Sequence, residues 1–157
     1  MIKAVTFDLW DTVIHDDSDE PRRAAQGLRS KKEERRYLLW QALNNEVPIT
    51  QEEVWLACNT TDAAFNHVWH EQFVTWCVRE RLQIAINGLD RNLSESALDF
   101  VVQQYEEMEI SVAPDMIDGV SDAIADLAQD FPLAVVSDAI VSPGRCLRQW
   151  LEMNHIL

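Results

Sequence analysis

Three rhythms of apolar residues run along this chain. Residues 2–8, IKAVTFD, are β-prone, with Val5 and Phe7 as strand formers and Lys3 at the start, and they predict a short strand. A polar stretch, HDDSDEP at 15–21, ends that pattern. From about 22 to 46 the spacing of Leu28, Leu39 and Leu43 turns helical, with charges between them, and Pro48 follows the end. Thr50-Gln51-Glu52-Glu53 has the form of a capping box, in which the Thr and Glu side chains each accept the other's backbone N–H, so a further helix begins there. It carries Trp55, Phe65, Trp69, Phe73 and Trp76 towards Gly88, with a break expected at Asn59–Asp62, where cap-forming residues cluster. Ser94 caps another helix to about Met108, with Leu98, Val101, Val102 and Tyr105 as its buried side.

After Pro114 the third rhythm begins. Residues 119–131 predict an amphipathic helix on Val120, Ile124 and Leu127. Residues 132–136, PLAVV, are continuously apolar, as expected of a parallel strand covered on both faces, and Ser137-Asp138 close it. Pro143 then opens a last helix, at a position where proline is tolerated. The order is strand, helical block, helix, strand, helix. It predicts an α/β protein in which residues 1–14 and 113–157 make the core and residues 15–112 an all-helical insertion.

Composition narrows the function classes. At 157 residues and 47% hydrophobic, the chain can bury a real core. A net charge of −14 disfavours non-specific binding to nucleic acid or to an anionic membrane. No apolar stretch approaches the ~18 residues that span a bilayer, and Asp8 and Asp11 interrupt the only apolar run at the N-terminus. Cys58, Cys77 and Cys146 are odd in number and far apart, which suits a reducing, cytoplasmic setting.

The chemistry concentrates in FDLWDT and VVSD. Ligands of open parallel sheets bind beyond the carboxyl ends of the strands, and both expected strands end in polar residues: Asp8 on one, Ser137 and Asp138 on the other. If the strands are neighbours these groups converge, and a carboxylate at a strand tip can act as a nucleophile or hold a metal. Each also has a plainer role, since Asp and Ser at strand ends often begin turns. For Asp11 the turn-capping role is the better reading. Seven of the thirteen Lys and Arg residues fall between Arg22 and Arg36. They either attract an anionic substrate or form a solvated helix face with Glu33 and Glu34 as partners, and the second is preferred. His67, His70 and Glu71 have metal-like spacing but no further ligand in view.

In four stretches the sequence resembles the haloacid dehalogenase superfamily. FDLWDT is similar to its first motif, with Asp8 at the nucleophile and Thr12 at the usual threonine. The helical block sits where that family inserts a helical cap. PDMIDGVSDAIADLAQDFPLAVVSD looks like the run into its second motif, with Ser137 at the phosphate-contacting hydroxyl, and SDAIVSPGRCLRQWLEMNHIL looks like the helix that follows. The resemblance implies a partial Rossmann-like core with an inserted cap, and hydrolysis of a small anionic substrate through an aspartyl-enzyme intermediate. It implies Mg²⁺ held by the Asp8 carboxylate and the Trp10 backbone carbonyl. It places Asp8, Thr12 and Ser137 in catalysis, and Trp10, Ser137 and Asp138 against the substrate. Phosphate monoesters are the first substrate class. A 2-haloacid is the alternative, because Trp10 stands where the family's phosphatases carry a second aspartate, and members that break carbon–halogen bonds also lack that acid.

The resemblance also implies a third strand, a catalytic lysine and an acidic pair beyond the second motif. Residues to supply them are not in this sequence, so a fragment is expected, or else an inactive remnant or interaction module, with self-association as one way to cover an incomplete core.

Overall fold

The structure, a computed structural model, describes residues 1–156. Its elements in chain order are β1 (Val5–Phe7), α1 (Glu20–Ala25), α2 (Lys31–Glu46), α3 (Gln51–Gln72), α4 (Val78–Gly88), α5 (Glu95–Glu106), α6 (Met108–Ser111), α7 (Val120–Ala128), β2 (Leu133–Val135) and α8 (Gly144–Met153). β1 and β2 pair in parallel, Val5 with Leu133 and Phe7 with Val135, and among the described residues they form the whole sheet.

The expected α/β class with a Rossmann-like core is therefore corrected: the protein is mostly helical, with helix taking 58% of the described residues. A layered α/β core needs a sheet wide enough to carry helices on both faces, and two strands of three residues cannot supply one. The apolar run PLAVV is accordingly not covered on both faces. Ala134 and Val135 are exposed, and Val136 just beyond β2 is 67% exposed.

Burial is found on helices and on one turn instead. The larger apolar cluster joins α2, α3, α4 and α5 through Leu39, Leu43, Val54, Leu82, Ile86 and Val101. The second joins the turn after β1 to α8: Leu9, Val13 and Ile14 pack with Trp150 and Leu151. That turn is tight because the Leu9 carbonyl accepts from the N–H groups of Val13 and Ile14, at 2.8 and 2.9 Å, while Asp11 takes a left-handed φ of 53°. The N–H of Ile117 donates to the Val13 carbonyl at 3.0 Å, and that of His15 to the Asp115 carbonyl at 2.9 Å. These bonds tie the segment after α6 to the site end of β1.

The helix boundaries follow local chemistry. The helix expected over 22–46 is two, because Gly27 at φ 71° closes α1 and a capping box of Ser30 and Glu33 opens α2. The capping box of Thr50 and Glu53 starts α3 as its sequence predicts. The break expected at Asn59–Asp62 does not occur. Thr60 donates its hydroxyl back to the Leu56 carbonyl at 2.9 Å, so the cap-forming side chain is absorbed by the helix it was expected to end. α3 ends instead at Phe73, which is left-handed at φ 56°. Pro143 is the N-cap of α8 rather than its first residue.

Candidate functional site

The β1–β2 register decides what meets at the strand tips. The N–H of Val136 donates to the Phe7 carbonyl at 2.8 Å, one step beyond β2, so Asp8 follows Phe7 level with Val136 and Ser137 comes next on the neighbouring strand. Asp8, Trp10, Ser137 and Asp138 all line one cleft of about 440 Å³. Thr12 does not line it: it lies exposed on the turn after β1. Asp11 is turned away as well, and its carboxylate accepts the N–H of Asp16 at 3.1 Å, the turn-capping role expected of it. His67, His70 and Glu71 are exposed on α3, apart from the cleft.

Helices and the loop after β1 supply the opposite wall of the cleft, through Asp16, Asp17, Lys31, Arg35, Trp69 and Glu109. The reading of the basic run as a solvated face holds for Arg29, which pairs with Glu34 at 3.0 Å, and for exposed Lys32, and is corrected for Lys31 and Arg23. Lys31 is only 4% exposed and Arg23 3%. The Lys31 ammonium lies 2.8 Å from Asp19, 3.0 Å from Asp17 and 3.5 Å from Glu109. Burial opposes its charge, but the bond from Asp19, the charge of Glu109 and the bond from Asp17 outweigh it and hold its pKa above the ordinary lysine value. Glu109 also accepts the Ser142 hydroxyl and lies 3.6 Å from Arg35. No pattern in the sequence marks these pairs, because Glu109 comes from α6, far along the chain from α2.

Asp138 has both carboxylate oxygens engaged. Trp69 Nε1 donates to one at 2.6 Å and Thr75 Oγ1 to the other at 2.7 Å. Those two bonds hold its pKa below the ordinary aspartate value. Arg81 on α4 adds a third tie across the cleft, donating to the Ile140 carbonyl at 3.1 Å. The strand-tip loop 137–142 is thus clasped by α3, the link after it, and α4. Trp69 is held in place by Phe65, whose ring stacks on it at 6.1 Å.

No family model matches this chain, and a search of curated proteins finds no match. The reading of the site therefore rests on its own geometry.

Two features of that geometry bear on ligands. Ser137 Oγ is buried without a hydrogen-bond partner in the protein, and leaving such a hydroxyl unmatched costs about 1–3 kcal/mol. The second feature is charge. The cleft lining carries the carboxylates of Asp8, Asp16, Asp17, Glu109 and Asp138 against the cations Lys31 and Arg35. Lys31 answers Asp17 and Glu109, and Asp138 is held by its donors, which leaves Asp8 and Asp16 without a paired cation among the described residues, Asp16 accepting only the Asp17 N–H at 2.9 Å. Burial and the neighbouring charge of Asp17 raise the Asp16 pKa. Asp8 and the Trp10 carbonyl are hard oxygen donors of the kind Mg²⁺ takes, with water and substrate completing its shell. Among the described residues, no three His, Cys, Asp or Glu side chains stand together as a metal-binding group.

Proposed function

We propose that this protein is a hydrolase that acts through an aspartyl-enzyme intermediate on a small phosphate ester, in the manner of the haloacid dehalogenase superfamily its motifs resemble. The observation that carries this reading is the convergence of Asp8 and Ser137 on one cleft from adjacent parallel strand tips, with the Ser137 hydroxyl lacking a protein partner. An Asp8 carboxylate oxygen attacks phosphorus as the bond to the leaving oxygen breaks, giving an acyl phosphate and an alcohol. The Ser137 hydroxyl donates to a non-bridging phosphoryl oxygen. Asp16, a carboxyl that lines the same cleft, is assigned to give the leaving oxygen its proton. Water then hydrolyses the acyl phosphate and frees Asp8. Mg²⁺, held by Asp8 and the Trp10 carbonyl, would offset the carboxylates that otherwise repel an anionic substrate. Three unpaired cysteines favour a cytoplasmic setting.

Hydrolysis of p-nitrophenyl phosphate with Mg²⁺ tests this. Asp8→Asn is expected to lower kcat by at least about a thousandfold, and rapid quenching of the wild type should trap phosphate on Asp8. Undiminished turnover in Asp8→Asn overturns the reading. A second reading, displacement of halide from a 2-haloacid by Asp8, is favoured by Trp10 and Trp69, which give the cleft an aromatic wall where a second acid would stand. It is separated by its readout, halide release without dependence on Mg²⁺.

A further inference from the structure

Beyond the Asp8 cleft lies a second cavity of about 330 Å³, and the two adjoin at Lys31, Arg35, Asp17, Ile140 and Val141, which line both. Their charge is opposite in sense. The second cavity is lined by Lys31, Lys32, Arg35, Arg36 and Arg81 against Asp17, Glu20 and Asp62, in a protein whose net charge is −14. Most of these cations are already answered. Lys31 holds three carboxylates, and Asp62 lies between Arg36 at 3.4 Å and Arg81 at 3.0 Å. Arg35 is different. Its side chain is 19% exposed, its Nε and Nη2 are sealed from solvent without a hydrogen bond, and its one ionic contact is Glu109 at 3.6 Å. Glu109 is already shared with Lys31 and Ser142. The other charges near Arg35, on Arg81 and Arg23, repel it, and Tyr105 stays neutral because burial holds its hydroxyl well above the usual tyrosine value.

A guanidinium without its full set of acceptors, set between the reacting group and an apolar-walled cavity, is a built receptor for an anion. Val78, Leu82 and Ala85 supply the apolar wall. The charge count selects the anion. Lys32 also lacks a partner but is exposed and solvated, so one buried, incompletely paired cation remains, and with Asp17, Glu20 and Asp62 close by it matches a single negative charge better than a dianionic phosphate. We propose that the second cavity is a subsite for a carboxylate on the far end of the substrate, received by Arg35, so that the protein takes small phosphate esters whose organic part ends in a carboxylic acid. This rests on the reading of Asp8 as the reacting end.

Two non-hydrolysable probes of equal chain length test it by calorimetry: 3-phosphonopropionate, with the carboxylate, and propylphosphonate, without it. The wild type is expected to bind the first about tenfold or more tightly, the worth of one charge-assisted pair. Arg35→Gln should bind both alike, and Arg35→Lys, which keeps the charge and loses the planar fork, should retain part of the preference. Equal affinity in the wild type, or a preference that survives in Arg35→Gln, overturns the subsite. The wild-type comparison needs no variant to fold. Failure of the Asp8 reading shows separately, as turnover that survives Asp8→Asn while the preference between phosphonates persists. If neither phosphonate binds, glutarate reads the second cavity alone. A rise in Tm of the wild type that is absent in Arg35→Gln sustains the subsite, and no rise overturns it.

Discussion

Lys31 carries more of the site than any other single cation, because three acids depend on it: Asp17 and Asp19 in the loop before α1, and Glu109 on α6. Lys31→Met strands the Asp19 and Glu109 carboxylates in a buried setting, and breaking a buried ion pair costs about 3–5 kcal/mol. Chemical denaturation should read that loss. Its pKa is raised on folding, so its contribution is fully present below the ordinary lysine value of 10.5 and is lost as pH rises through the higher folded value. Asp16 works in the opposite sense. Its pKa is raised from 3.8, so ionising it costs the folded state stability as pH climbs past that value. Asp16→Asn should therefore be more stable than the wild type at neutral pH and no more stable in acid, while its kcat falls. Denaturation curves at both pH values check the first part.

At the scale of elements, the clasp on loop 137–142 and the end of α3 are the points of leverage. The bonds from Trp69 and Thr75 depress the Asp138 pKa, so the clasp is intact above the ordinary value of 3.8 and is lost as pH falls through the lower folded value. Asp138→Ala should loosen it at neutral pH, seen as faster proteolysis in the 73–77 link and a changed Trp69 emission. Phe73 is 89% exposed and left-handed, a conformation that costs a side chain roughly 1–2 kcal/mol and glycine nothing. Phe73→Gly is expected to stabilise the fold by roughly 0.5–1 kcal/mol after the entropy of the added glycine, measured by urea denaturation. The α3 end was hidden in the sequence because phenylalanine is not a stop residue. The false break at Asn59–Asp62 arose because Thr60 bonds inward along the helix, a choice composition does not reveal.

Across the whole molecule, charge is sorted rather than spread. A strongly acidic chain sets five of its thirteen Lys and Arg residues around two adjoining cavities, one rich in carboxylates and the other net basic. A dissociation constant for 3-phosphonopropionate should therefore weaken as salt rises, and more so than for propylphosphonate. The two apolar clusters divide the molecule in the same way, one among α2–α5 and one between the turn after β1 and α8, with the cleft formed where their elements meet.

The sequence alone determined the helical block, the caps at Thr50 and Ser94, the two strands and the polar residues that end them, because each follows from local periodicity or from a side chain meeting its own backbone. It also singled out Asp8, Ser137 and Asp138, since strand tips are marked where an apolar run stops on an acid or a hydroxyl; Trp10 was marked only by the resemblance. Tertiary structure decided the rest. It showed that two short strands do not make an α/β core, since sheet width is a property of pairing and not of one apolar run. It turned Lys31 and Arg35 inward, because the charge that sets their roles comes from Glu109 on a distant helix. It left Thr12 on the outer side of a turn that Leu9 and Asp11 shape, where no spacing rule could assign it a face.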